Sequence, residues 1–183
     1  VFAQTGAYNY DTEKFWLKFL KDIRYSQADN SEGYVAPTIP AQGKAGTGFM
    51  TMLGWGNCVT IVPEMLYYQY GSDRALKAQY ESMKTFAECE IWHMGDKNLW
   101  LGVSLGDWLA PGKDIAYMAM HNNPVSNAFI LNDLRIMAWA ADYLNKPDDA
   151  ARYREQLEKS RTAYLAAFVT PDGGMTDDYQ AHM

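Results

Sequence analysis

A chain of 183 residues is long enough for one ordinary domain with its own core, and its 48% hydrophobic and 14% aromatic content excludes a disordered segment. A net charge of −6 and a pI near 5.0 argue against nucleic-acid binding, which calls for basic patches facing phosphates. No apolar run approaches the ~20 residues that span a bilayer, so no membrane insertion is expected. An acidic chain rich in Trp and Tyr suits neutral ligands better than polyanions. Val1-Phe2-Ala3-Gln4 has neither the basic start nor the apolar run of a signal peptide, and there is no initiator Met, so an upstream segment is expected and the compartment stays open.

The first helical stretch runs from about Asp11 to Ser26. Asp11 suits its N-cap, and Phe15, Phe19 and Ile23 recur every fourth residue beside Trp16 and Leu20. From Ala28 to Gly56 the pattern breaks at Gly33, Pro37, Pro40, Gly43, Gly46, Gly48 and Gly54, which predicts a long loop of the kind that carries function. A second helix, about Asn57 to Tyr70, is apolar almost all round except at Glu64 and Gln69, with Pro63 in its first two turns. Gly71 stops it. Ser72 and Asp73 open a third, Asp73 to His93, with Leu76, Tyr80, Met83 and Ala87 on one stripe. The fourth, about Pro124 to Leu144, is again mostly apolar and carries Ala128, Leu131, Ile136, Met137 and Trp139. Pro147, with Asp148 and Asp149 behind it, starts the fifth, whose stripe is Tyr153, Leu157, Tyr164 and Phe168.

After the first helix the order is buried, amphipathic, loop, buried, amphipathic, with no competing strand signal. Short turns inside pairs and long loops between them predict an all-α fold, either an α/α barrel or a solenoid. No fixed repeat period supports a solenoid scaffold. Five helices are about half of a twelve-helix barrel. The expectation is therefore a partial (α/α)6 barrel, with inner and outer helices alternating over residues 1–183 as one domain.

Two loop motifs place an indole beside glycines at a junction between helix pairs: Gly54-Trp55-Gly56-Asn57 and Gly106-Asp107-Trp108-Leu109. Sugar rings have apolar C–H faces that stack on indoles, while their hydroxyls bind carboxylates such as Asp107. The competing reading is that both Trp residues plug the barrel end, and the residues alone do not choose. Other candidates carry less. The loop acids Asp29, Glu32, Asp177 and Asp178 read as solvated, and Glu64 in an apolar helix needs either a partner or a wet edge. His93, His121 and His182 lack metal-ligand spacing, so no metal is expected, and Cys58 and Cys89 read as idle thiols.

Gly54-Trp55-Gly56-Asn57, then Ile61-Val62-Pro63, then Leu66-Tyr67-Tyr68-Gln69-Tyr70-Gly71, resemble the GWGD…vP…LY…YGD signature of bacterial α-L-rhamnosidases of glycoside hydrolase family 78. Gly106-Asp107-Trp108-Leu109 resembles that family's GDWL loop at a matching separation, and Tyr8-Asn9-Tyr10-Asp11 and the stretch from Tyr153 to Gly174 also fit. The resemblance implies an internal piece of an inverting enzyme that needs no cofactor and takes terminal α-L-rhamnose from a rhamnose-containing oligosaccharide or glycoside. It also implies a general acid upstream of Val1 and a general base beyond Met183, so no catalytic residue is assigned within the chain and the stretch alone is expected to be inactive. Trp55, Asp107, Trp108 and Asn57 are the substrate-binding candidates. One departure stands out: Asn57 replaces the family's usual Asp, keeping its shape but losing its charge. As a helix N-cap Asn would serve nearly as well; as a support for substrate or acid it would alter the site. The alternatives are another α/α-barrel glycosidase or polysaccharide lyase, and an α-solenoid interaction scaffold.

Overall fold

The computed structural model describes residues 2–40, 53–104 and 112–176. Among them are α1 (Phe2–Asn9), α2 (Glu13–Ala28), α3 (Cys58–Tyr70), α4 (Arg74–Met94), α5 (Ile115–His121), α6 (Asn123–Tyr143) and α7 (Pro147–Phe168). The described residues hold no strand beyond one isolated bridge, Val169 with Met175. The all-α expectation holds; four of the five expected helices start and stop within two residues of their observed ends, and the fifth starts at Pro147 as expected.

Two short helices escaped the sequence pattern. Seven or eight residues give only two turns, too few for an apolar stripe to declare a period. α1 matters to the architecture because it packs on α3 ahead of the helical hairpins α3–α4 and α6–α7.

The direction of each helix follows from its contacts. Along α3 and α6, Thr60 bonds Asp133, Glu64 bonds Arg135 and Tyr67 packs on Trp139 and Tyr143. Both residue numbers rise together, so these two helices run parallel. The same holds for α2 with α4, through Arg24–Gln79 and Gln27–Ser82. It holds again for α4 with α7, through Tyr80–Asp149, Tyr153–Glu88 and Ser160–Met94. One layer thus contains α3 and α6, reached by α1, and the other contains α2, α4 and α7 running the opposite way. That is the inner and outer alternation of an α/α barrel.

The short turns share one end. Gly71, left-handed at φ 65°, donates its N–H to the Tyr67 carbonyl at 2.9 Å and stops α3 as expected. The long connections therefore meet at the other end, where α3 and α6 begin. Burial is less even than the sequence implied. α4 buries Leu76, Tyr80, Met83 and Ala87 as expected, and also Gln79, Phe86, Cys89 and Glu90, because it packs on α2, α3 and α6 at once. Each large apolar side chain of this set taken from water contributes about 1.5–3 kcal/mol. On α6, by contrast, Ala128 is exposed and Leu131 half-buried, while Ile130, Asp133 and Leu134 point inward.

A candidate sugar-binding rim

The turn before α3 is shaped by two glycines. Gly54 has φ +97°, and a Cβ there would stand 3.3 Å from the Phe129 ring on α6. At Gly56 a Cβ would meet the Phe86 ring of α4 at 3.2 Å. The chain can pass between these two aromatic rings only where it has no side chain of its own. Between them Trp55 keeps 36% of its surface exposed at the rim.

Asn57 is fully buried. Its Oδ1 accepts the Gly54 N–H, while its Nδ2 donates to Glu90 Oε1 of α4 at 3.0 Å and to Asp133 Oδ2 of α6 at 2.6 Å. Thr60 donates its hydroxyl to the other Asp133 oxygen. Asn57 occupies the N-cap position of α3, yet its side chain makes no capping bond. Its amide instead ties the turn to two helices and has no surface to offer a ligand.

Glu90 and Asp133 are fully buried acids, without a cation in contact among the described residues. Burial holds the Glu90 carboxyl well above its ordinary range, and the neighbouring Asp133 charge pushes it further. Burial likewise pushes Asp133 up to about 7, against the bonds from Thr60 and Asn57 that favour its charged form. Glu90 Oε2 has no hydrogen-bond donor facing it among the described residues, as suits an oxygen that carries the proton. Neither acid drew notice in the sequence. The available signal was phase: Glu90 continues the Met83, Phe86, Ala87 stripe, and Asp133 lies between Ile130 and Met137 on theirs.

The stretch that leads into the second motif is anchored twice. Asn127 accepts the Trp100 N–H and donates to the Trp100 carbonyl, each at 2.8 Å, and Asn122 donates to the Ser104 carbonyl at 3.0 Å. Both Asn residues belong to the start of α6. Asp107 and Trp108 themselves lie outside the described residues, as do Asp177, Asp178 and His182. The chain on either side of 105–111 nevertheless sits at the head of α6, on the rim where Trp55 sits at the head of α3.

The remaining candidates resolve. Glu64 has its partner: Arg135 holds it bidentately at 2.8 and 2.9 Å. Glu32 lies 3.8 Å from His93, and Asp29 closes the end of α2 through its backbone. Burial pushes the Cys58 and Cys89 thiols up to about 12, which makes both poor nucleophiles at neutral pH. No His, Cys, Asp and Glu cluster fit for a metal occurs among the described residues.

A layer of parallel inner helices, backed by outer helices that run the opposite way, is the arrangement of the six-hairpin glycosidase class of α/α barrels. The comparisons carry this to a family. The family model for the bacterial α-L-rhamnosidase six-hairpin glycosidase domain matches residues 1–183, and the chain belongs to that family. An α-L-rhamnosidase of Streptomyces avermitilis is 30% identical over 181 residues, covering 99% of this chain and 16% of that protein. One from Formosa agariphila is 28% identical, over 92% of this chain and 18% of its own length. Among solved structures, the S. avermitilis α-L-rhamnosidase complexed with L-rhamnose aligns with a TM-score of 0.81 at 29% identity, over 96% of this chain and 16% of that one. Native α-L-rhamnosidase from Aspergillus terreus gives 0.82 at 26% identity, over 96% and 21%. The chain thus spans between 16% and 21% of the length of these relatives.

Proposed function

We propose that this chain is part of an α-L-rhamnosidase and forms one side of the pocket for a terminal α-L-rhamnose. The observation that carries the reading is the shared rim. The partly exposed Trp55 at the head of α3 and the Ser104 end of the stretch leading to Asp107 and Trp108, held at the head of α6, belong to one end of the bundle. In this reading Trp55 and Trp108 stack on the sugar's C–H faces and Asp107 accepts its hydroxyls. Asn57, which was expected to touch the sugar, holds the Trp55 turn instead.

The general acid and base come from other parts of the protein. An inverting glycosidase sets its two carboxyls ~6.5–9.5 Å apart with sugar and water between them. The buried pair Glu90 and Asp133 is walled off from solvent, and Glu64 is committed to Arg135. Neither arrangement admits a glycoside.

The test is L-rhamnose binding by calorimetry, for the full-length protein and for Trp55→Ala and Trp108→Ala, beside hydrolysis of p-nitrophenyl α-L-rhamnoside. Each substitution is expected to weaken rhamnose binding about tenfold or more, the loss of one stacked ring. Unchanged affinity in both variants would overturn the assignment. Hydrolysis by residues 1–183 alone would overturn the placement of the acid and base elsewhere.

A further inference from the structure

We infer that Glu90, Asp133 and Thr60 are positioning residues for the Trp55 turn, acting through the buried Asn57 amide as a clamp. The inference rests on the proposed role of Trp55 in sugar binding. The Thr60 hydroxyl reaches both the Asn57 carbonyl and Asp133, while the Asn57 amide is fixed by its neighbours. Asn57 Oδ1 is taken by the Gly54 N–H, so its NH2 faces the two carboxyls and offers each one hydrogen. Asp133 accepts from Asn57 and from Thr60, which favours its anionic form. Glu90 accepts from Asn57 at Oε1, and burial together with the Asp133 charge beside it favours its neutral form.

Removing the Glu90 proton would leave two buried anions side by side and only the Asn57 amide between them. The cluster lies directly beneath the turn: Gly54 and Asn57 flank Trp55, and their mutual bond closes the loop that presents the indole. A change in the cluster therefore acts on the Trp55 turn through the Gly54–Asn57 bond. The ionisable groups around the cluster do not supply a substitute charge. Cys58 of α3 and Cys89 of α4 are neutral thiols, Glu32 adds negative charge beyond Cys89, and Arg135 of α6 is already held by Glu64.

Asn57→Asp and Glu90→Gln test the clamp in the full-length protein, with tryptophan replaced by 5-fluorotryptophan and the Trp55 fluorine signal assigned through Trp55→Phe. Asn57→Asp puts a third carboxyl where the two donors stood. Its Trp55 signal is expected to broaden or shift at pH 8 and return toward the native position at pH 5, with L-rhamnose affinity falling about tenfold at pH 8 and recovering in parallel. Glu90→Gln keeps an acceptor for Asn57 and a donor for Asp133, so its Trp55 signal is expected to stay native from pH 5 to pH 8. A Trp55 signal that ignores Asn57→Asp, or one that moves equally at both pH values, overturns the clamp. So does a Glu90→Gln signal displaced at every pH. If native protein binds no rhamnose, the sugar-site reading fails on its own, and the fluorine signal still decides the clamp.

Discussion

Helix α4 carries two glutamates two residues apart that solve the same problem in opposite ways. Glu88 faces the outer helix α7, where Arg152 Nε donates to it at 2.9 Å and the Tyr153 hydroxyl at 3.0 Å. Lower on the same seam, Asp149 of α7 takes Lys84 Nζ at 2.7 Å and the Tyr80 hydroxyl at 2.8 Å. Burial would raise both carboxyls, but these cationic and phenolic donors overcome it and hold Glu88 and Asp149 below their ordinary range. Glu90 faces the inner helices with no cation, and burial holds its proton on. A helix turns about 100° per residue, so a step of two carries a side chain to the other side of the same helix. The seam joins charges in partial contact with water, whereas the inner cluster joins uncharged or singly charged groups away from it. The first is tolerant of change and the second is not.

Asp133→Ala is the largest expected break. It strips the acceptor from one buried Asn57 hydrogen, at about 1–3 kcal/mol for a group left unpaired, and leaves the Thr60 hydroxyl only the Asn57 carbonyl. A cavity adds to that, so chemical denaturation is expected to show a total loss on the order of 3–5 kcal/mol with an unchanged m-value. A loss below ~1 kcal/mol would mean that water or a shifted helix re-satisfies the donors.

The pH dependence sharpens the contrast next. Glu90 and Asp133 bind protons more tightly folded than unfolded. Their contribution to stability is thus full below the unfolded carboxyl range near pH 4 and is lost as pH rises through the folded values, about 7 for Asp133. Glu88 and Asp149 act with the opposite sign: their contribution is present above that range and is lost as pH falls through the depressed folded values. One proton of difference is a slope of about 1.4 kcal/mol per pH unit. Glu90→Gln, which cannot ionise, is expected to flatten the decline between pH 5 and pH 7 by up to that amount, measured as unfolding free energy at each pH. An unaltered slope would place the proton elsewhere.

The sequence carried most of the fold and half of the site. Helix α4 was legible because Leu76, Tyr80, Met83 and Ala87 repeat at one period and Gly71 and Asp73 mark its start. α1 and α5 were too short to show a period. The rim was legible through Gly54-Trp55-Gly56, since glycines around an indole demand a reason, and the reason is the passage between Phe86 and Phe129. The clamp was not legible. Glu90 and Asp133 are 43 positions apart by their numbers, and each reads as an isolated polar lapse in an apolar stripe. Only the register between α4 and α6 makes them a pair, and long-range register is what local periodicity does not contain. Asn57 shows the same limit. Its position suggested a cap or a ligand contact, while its chemistry is set by two helices that come later in the chain.

The smallest effect belongs to the seam, and it separates packing from charge. Arg152 leaves about half its side chain in water, and Glu88 about a third, so the ion pair is screened and contributes about 0–1 kcal/mol. Arg152→Met preserves much of the aliphatic cover over α4 and leaves Glu88 its Tyr153 hydroxyl and access to solvent. Native and variant stabilities are therefore expected to differ by less than about 1 kcal/mol at low salt and to converge near 1 M salt, where the screening length is about 3 Å. A persistent loss above 2 kcal/mol at high salt would show that the seam depends on its charges as the inner cluster depends on its proton. Convergence would mean that α4 and α7 are held by Tyr80 and Tyr153, both buried, and that the charges around them set partner geometry more than stability.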